Sequence, residues 1–133
     1  MHVQPYLFFD GRCDEAIEFY QFALGAKVEF LMRNNEAPEP HGQPGTEDKV
    51  LHASLRIGAT TFFASDGHCK GKPVFAGFSL SLTVSSDAEA DRMFANLTDG
   101  GTVVMAMAKT FFSPRFGMVT DRFGVSWMII THS

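Results

Sequence analysis

The sequence predicts an α+β domain made of two tandem βαβββ modules, forming a curled mixed sheet around a cavity. Three observations predict it. A short apolar run is followed by Ala16, Phe19, Tyr20, Ala23 and Leu24, spaced i, i+3, i+4, i+7 and i+8 on one helical face. Runs rich in β-branched and aromatic residues come next, separated by turns bearing Gly and Asp. The second half then repeats the order of the first. Ala16, Phe19 and Tyr20 correspond to Ala90, Met93 and Phe94, Gly25 to Gly100, Val28 to Val103, and Gly58 to Gly124. Neither half would easily bury a sheet alone, which is a physical reason to duplicate and pair.

The elements follow in order. Residues 4–9 read as a strand ended by Asp10-Gly11. The helix begins at Cys13, has Asp14 and Glu15 near its positive end, and stops at Leu24-Gly25. Residues 26–33 form a strand, and residues 34–48, with three Pro and two Gly, a long loop. Residues 49–57 and 60–65 pair around Gly58-Ala59. Residues 67–77 are aperiodic and read as a connector, so the modules span about 1–66 and 78–133 of one domain, 1–133. A strand over 78–84 precedes the capping box Ser86-x-x-Glu89 and a helix with its stripe at Ala90, Met93, Phe94 and Leu97. Residues 102–109, 116–120 and 125–130 supply the last three strands, the final pair joined by Asp121-Arg122-Phe123-Gly124.

Composition bounds the function. With 45% hydrophobic and 20% charged residues among 133, the chain has enough apolar surface for a core. Net charge is −4 and no basic run is visible, so nucleic acid is excluded as a partner. No apolar stretch approaches the ~20 residues of a membrane span, and the N-terminus has neither a basic region nor a cleavable apolar segment. Two distant cysteines, Cys13 and Cys69, fit reduced thiols and a cytoplasmic setting. Phe is abundant, 14 against 2 Tyr and 1 Trp, which is apolar surface for the core with some left for a cavity or subunit interface.

The stretches YLFFDGRCDEAIEFYQFALGA, VLHASLRIG, FFASDG and KTFF…RFGMVTDRFGVSWMI together resemble the PhnB-like branch of the vicinal oxygen chelate superfamily. Glyoxalase I, bleomycin-resistance proteins and extradiol dioxygenases belong to that superfamily, and this branch often carries a 3-demethylubiquinone-9 3-methyltransferase label. The resemblance covers nearly the whole chain and implies a homodimer. It also implies a divalent metal held by His and Glu, one from each of four strands. Module alignment places those four positions at Gln4, Phe63, Ser79 and Met128. Phe cannot ligate, Met prefers soft ions, and Ser and neutral Gln are weak ligands, so no metal cofactor is expected there. A site from His41, His52, His68 and Cys69 is the other arrangement; the plainer reading is that these are exposed or structural side chains.

Strand alternation assigns the remaining faces. Leu51, Ala53, Leu55 and Ile57 are expected beneath the first helix, leaving His52, Ser54 and Arg56 on the cavity side. Leu80, Leu82 and Val84 point to the second helix, leaving Ser79, Ser81 and Thr83. Tyr6, Phe8, Thr61, Phe63, Ser126, Met128 and Ile130 join the cavity side, with Met105, Met107 and Lys109 from the sixth strand. The expected ligand is a small, partly apolar organic molecule, with Tyr6, Phe8, His52, Arg56, Phe63, Ser79, Ser81, Lys109 and Met128 as binding residues. Arg56, Lys109 or Arg115 could meet an anionic group on it. His52 is the best candidate for an acid or base, because histidine ordinarily titrates near neutral pH. A hydrogen-bonded structural His is the plainer alternative. Cys13, in the first helical turn, is expected to feel a dipole that lowers a thiol pKa. Asp66 and Asp121 read as turn residues. The leading functional expectation is a metal-free small-molecule-binding protein; the alternative is a superfamily enzyme, glyoxalase- or dioxygenase-like, with an unusual site.

Overall fold

Asp66 is where the first module is tied together. Its carboxylate is buried and accepts the Cys13 N–H at 2.8 Å and the Val50 N–H at 2.6 Å, one on each oxygen. One side chain thereby caps helix α1 (Cys13–Leu24) and anchors the start of strand β3 (Val50–Ile57). Gly25 ends α1 in the left-handed region, at φ 67°, returning its N–H to the Gln21 carbonyl. The computed structural model describes residues 1–39, 42–69 and 72–132.

The chain divides into two compact units, Met1–Pro73 and Val74–Ser133, each with its own four-stranded mixed sheet. In the first, β1 (Tyr6–Phe8), β4 (Thr60–Ser65), β3 and β2 (Lys27–Arg33) lie in that spatial order. β1 is parallel to β4 and the other pairs are antiparallel. In the second, β5 (Leu80–Val84), β8 (Ser126–Thr131), β7 (Phe116–Thr120) and β6 (Thr102–Ala108) repeat this order and these directions. Helix α2 (Asp87–Thr98) has Ser86 as its cap, the hydroxyl accepting the Glu89 N–H at 3.1 Å. Strand pairing thus forms two sheets, one per unit. None of the helices among the described residues is long and apolar enough to cross a membrane.

Each helix covers one face of its own sheet. In the first unit Tyr20 is fully buried and meets Phe9 and Phe62 at 6.0 and 6.4 Å, over Ala53, Leu55 and Ala64. Full burial of such side chains contributes about 1.5–3 kcal/mol each. In the second, Ala90 and Leu97 are buried against a sheet face that includes Val119, Trp127 and Ile129. Asp121 organises the β7–β8 turn: it accepts the Phe123 and Val125 N–H groups and the Trp127 indole N–H at 2.9, 3.0 and 2.8 Å.

Bulges decide which residues reach the opposite, open faces. β2 has one extra residue, Glu29, between the pairs Val28–Leu55 and Phe30–Ser54, and β6 has Val104 between Val103–Val119 and Met105–Met118. A second irregularity in β6 lies between Met105–Met118 and Ala108–Phe116, so two residues, Ala106 and Met107, oppose Gly117. This corrects the expectation for Met107. Its sulfur lies with the Phe94 ring against the Cα of Gly117, on the α2 side of the sheet. A fourth bulge inserts Leu51 into β3 opposite the step from Met32 to Arg33. Val50, 1% exposed, therefore takes the buried place that alternation assigns to Leu51, which is half-buried. On this same edge Arg33 reaches α1 and donates to Asp14 through both terminal guanidinium nitrogens, at 2.9 and 3.0 Å.

Candidate functional site

Register alone assembles an aromatic row on the open face of the first sheet. Tyr6 on β1 faces Phe63 on β4, Phe63 faces Ser54 on β3, and Ser54 faces Phe30 on β2. Ser54 is the one small member, and the His52 ring lies among its neighbours, 5.3 Å from Phe63, 6.0 Å from Phe30 and 5.5 Å from Tyr6. Phe8 stacks on Tyr6 with ring centres 4.9 Å apart. Tyr6, Phe8 and Phe30 are 38, 56 and 47% exposed, so these are presented rings rather than core rings.

The Tyr6 hydroxyl and His52 Nδ1 are 2.9 Å apart. With the hydroxyl as donor, the imidazole carries its proton on Nε2 and can offer that N–H to a ligand acceptor. Beside Tyr6 and Phe8 a pocket of about 260 Å³ opens, bounded by Leu51, Asn34, Ser65, His68 and Cys69 among others. Asn34 is fixed by donating to the Thr46 carbonyl at 2.8 Å, which ties these two residues together at the pocket rim. Leu51 belongs to this wall because of the β3 bulge.

The expected binding residues fall into two groups. Tyr6, Phe8, His52 and Phe63 come together, and Phe30 and Leu51 join them. Phe30 was missed because it is on an edge strand whose bulge breaks simple alternation. Arg56 lies farther along β3, 3.5 Å from Glu29 and donating to the Gly58 carbonyl at 3.1 Å. Glu29 also accepts from Thr61. Ser79, Ser81, Lys109 and Met128 belong to the second unit. Ser79 shares a 2.6 Å bond with the Ser126 hydroxyl, Ser81 stands in register with Met128, and Lys109 is exposed just past β6. Arg115 holds Asp91 of α2 at 2.8 Å, a bond that raises the guanidinium pKa further above its ordinary value.

The thiol expectation is corrected. Cys13 is buried, and burial, reinforced by the nearby Asp66 and Asp14 carboxylates, pushes its pKa well above the ordinary 9.0. Any effect of the helix terminus is outweighed, so the thiol stays protonated. Cys69 is shifted up as well, chiefly by burial.

The superfamily's divalent metal does not fit the four aligned positions. The Phe63 ring packs with Tyr6 and His52, the Gln4 amide donates to the Thr61 carbonyl at 3.1 Å, Ser79 bonds Ser126, and Met128 supplies a thioether. His41 lies outside the described residues. Among the described residues, no three His, Cys, Asp or Glu side chains gather at a point.

Residues 1–130 match the model of the 3-demethylubiquinone-9 3-methyltransferase family. The chain is 37% identical over 138 residues to protein YjdN of Escherichia coli strain K12, covering 97% of this chain and 94% of that one. Among solved structures it is similar to protein PA1353 from Pseudomonas aeruginosa, with 41% identity, a TM-score of 0.87 and coverage of 99% and 98%. It is also similar to the PhnB protein from Bacillus cereus, with 26% identity, a TM-score of 0.82 and coverage of 98% and 99%. A glyoxylase/bleomycin resistance protein/dioxygenase domain from Frankia sp. EAN1pec shares the fold at 17% identity, with a TM-score of 0.68 and coverage of 99% and 95%. The chain belongs to the 3-demethylubiquinone-9 3-methyltransferase family, and its fold is that of the PhnB and glyoxalase/bleomycin-resistance proteins.

Proposed function

We propose that the protein binds a small, planar, partly apolar organic molecule on the open face of its first sheet, without a metal ion. The observation that carries this reading is the convergence of Tyr6, Phe8, Phe30, His52 and Phe63, with the Tyr6 hydroxyl 2.9 Å from His52 Nδ1. Ring faces supply stacking area, and His52 Nε2 supplies one directional polar contact. The adjoining pocket of about 260 Å³ suits one or two fused rings. The methyltransferase activity in the family's name is not part of this reading. Nucleotide-binding folds offer an uncapped helix N-terminus to a phosphate. Here the α1 N-terminus already holds the Asp66 carboxylate, which would repel an anion. The protein is further read as a cytoplasmic homodimer, in keeping with its two free thiols.

Thermal denaturation with a panel of planar one- and two-ring carbonyl compounds tests the reading. At least one compound at millimolar concentration should raise Tm by several degrees, consistent with the mass-action effect of a ligand well above its Kd. The double variant Tyr6→Ala/Phe63→Ala should lose that rise while remaining folded. Equal stabilisation of both proteins would sink the reading.

A further inference from the structure

The open face of the second sheet carries a different chemistry at the equivalent row. Ser81 faces Met128, Met128 faces Met118, and Met118 faces Met105, each as Cα partners on successive strands. Where the first module has Tyr6, Phe63, Ser54 and Phe30, the second has one hydroxyl and three thioethers. The core does not call for them. Met105 is 48% exposed and Met118 and Met128 are half-buried, whereas Val119, Trp127 and Ile129 fill the helix-facing side. Two bulges in β6 enforce the arrangement: one keeps Met105 opposite Met118, and the other turns Met107 away toward α2.

Neighbouring strands are about 4.8 Å apart, and an unbranched Met side chain with three rotatable bonds can carry its sulfur across part of that distance. The outer two thioethers can thus lean toward the central one and close a three-sulfur set. Thioethers are neutral, soft donors that favour Cu(I) and its analogue Ag(I) over hard divalent ions. We propose that Met105, Met118 and Met128 form a binding site for a soft monovalent cation, Cu(I), on the open face of the second sheet. This site is independent of the organic-ligand reading, which concerns residues of the other unit.

The test uses the full chain labelled with ¹³C at its seven Met methyl groups, with Ag(I) as the probe under reducing conditions. The Met105, Met118 and Met128 methyl resonances should shift together and saturate at one equivalent. Zn(II) at the same concentration should leave them in place. Met118→Leu keeps the apolar volume and removes the sulfur, so it should weaken Ag(I) binding at least tenfold. Met105→Leu, on the exposed edge strand, should do the same and provides a second variant should Met118→Leu not fold. Cys69→Ser should leave the three shifts intact. The proposal is overturned if those methyls do not move, if the Leu variant that folds binds as tightly as the parent, or if removing the Cys69 thiol abolishes the shifts.

Discussion

At the residue scale, His52 shows what spacing can and cannot reveal. Its place on the open side of β3 follows from alternation with Ala53 and Leu55. Its partner does not, because Tyr6 lies 46 residues earlier and reaches it only through the β1–β4–β3 pairing. Cys13 fails for a related reason. The start of α1 is one element, while the thiol's environment is set by burial and by Asp66 from beyond β4. A stability effect follows from that shift. The folded state holds the thiol proton above the ordinary pKa of 9.0, whereas the unfolded chain releases it near that value. The contribution is therefore present in full below pH 9.0 and is lost progressively as pH rises above it. Urea denaturation of Cys13→Ala and the parent between pH 8 and 10.5 should show the parent losing stability more steeply, by up to about 1.4 kcal/mol per pH unit. Parallel slopes would contradict this account of the thiol.

At the scale of elements, the two α-helices and eight strands of the described residues were legible, because their periods and turn residues agree. Correspondence between the modules, Val28 to Val103 and Gly58 to Gly124, was legible for the same reason. What strict alternation could not anticipate is each one-residue insertion. Glu29, Leu51, Val104 and the Ala106–Met107 pair shift the faces of β2, β3 and β6, and no local residue type announces them. That is why Val50 replaces Leu51 in the core, why Met107 leaves the open face and why Phe30 joins it. Close approach of backbones is equally invisible in sequence. A Cβ on Gly101 would collide with the Thr120 carbonyl oxygen and lie 3.0 Å from the Asp121 Cα, both backbone atoms that cannot rotate away. Gly101→Ala should lower unfolding stability by about 2 kcal/mol or more, by analogy with overpacked cores, read as a shift in the urea midpoint. An unchanged midpoint would show that the β7 end can move.

At the scale of the whole molecule, family and fold follow from motifs spread along the chain, and comparison with known proteins supports both. The aromatic face was only partly legible. The sequence separates apolar from polar faces, yet does not say that five rings meet on one side of one sheet. A homodimer is expected, and light scattering at micromolar concentration should report about twice the 14.7 kDa chain mass; a monomer would remove the dimer from the account. The central claim is that the aromatic face of the first sheet binds a planar organic molecule. The most direct measurement is a ¹H–¹⁵N and aromatic ¹³C NMR titration with the carbonyl compound that best stabilises the protein. The account predicts saturable shifts concentrated at Tyr6, Phe8, Phe30, His52 and Phe63, abolished by Tyr6→Ala/Phe63→Ala. Shifts centred elsewhere, or undiminished in that variant, would contradict it.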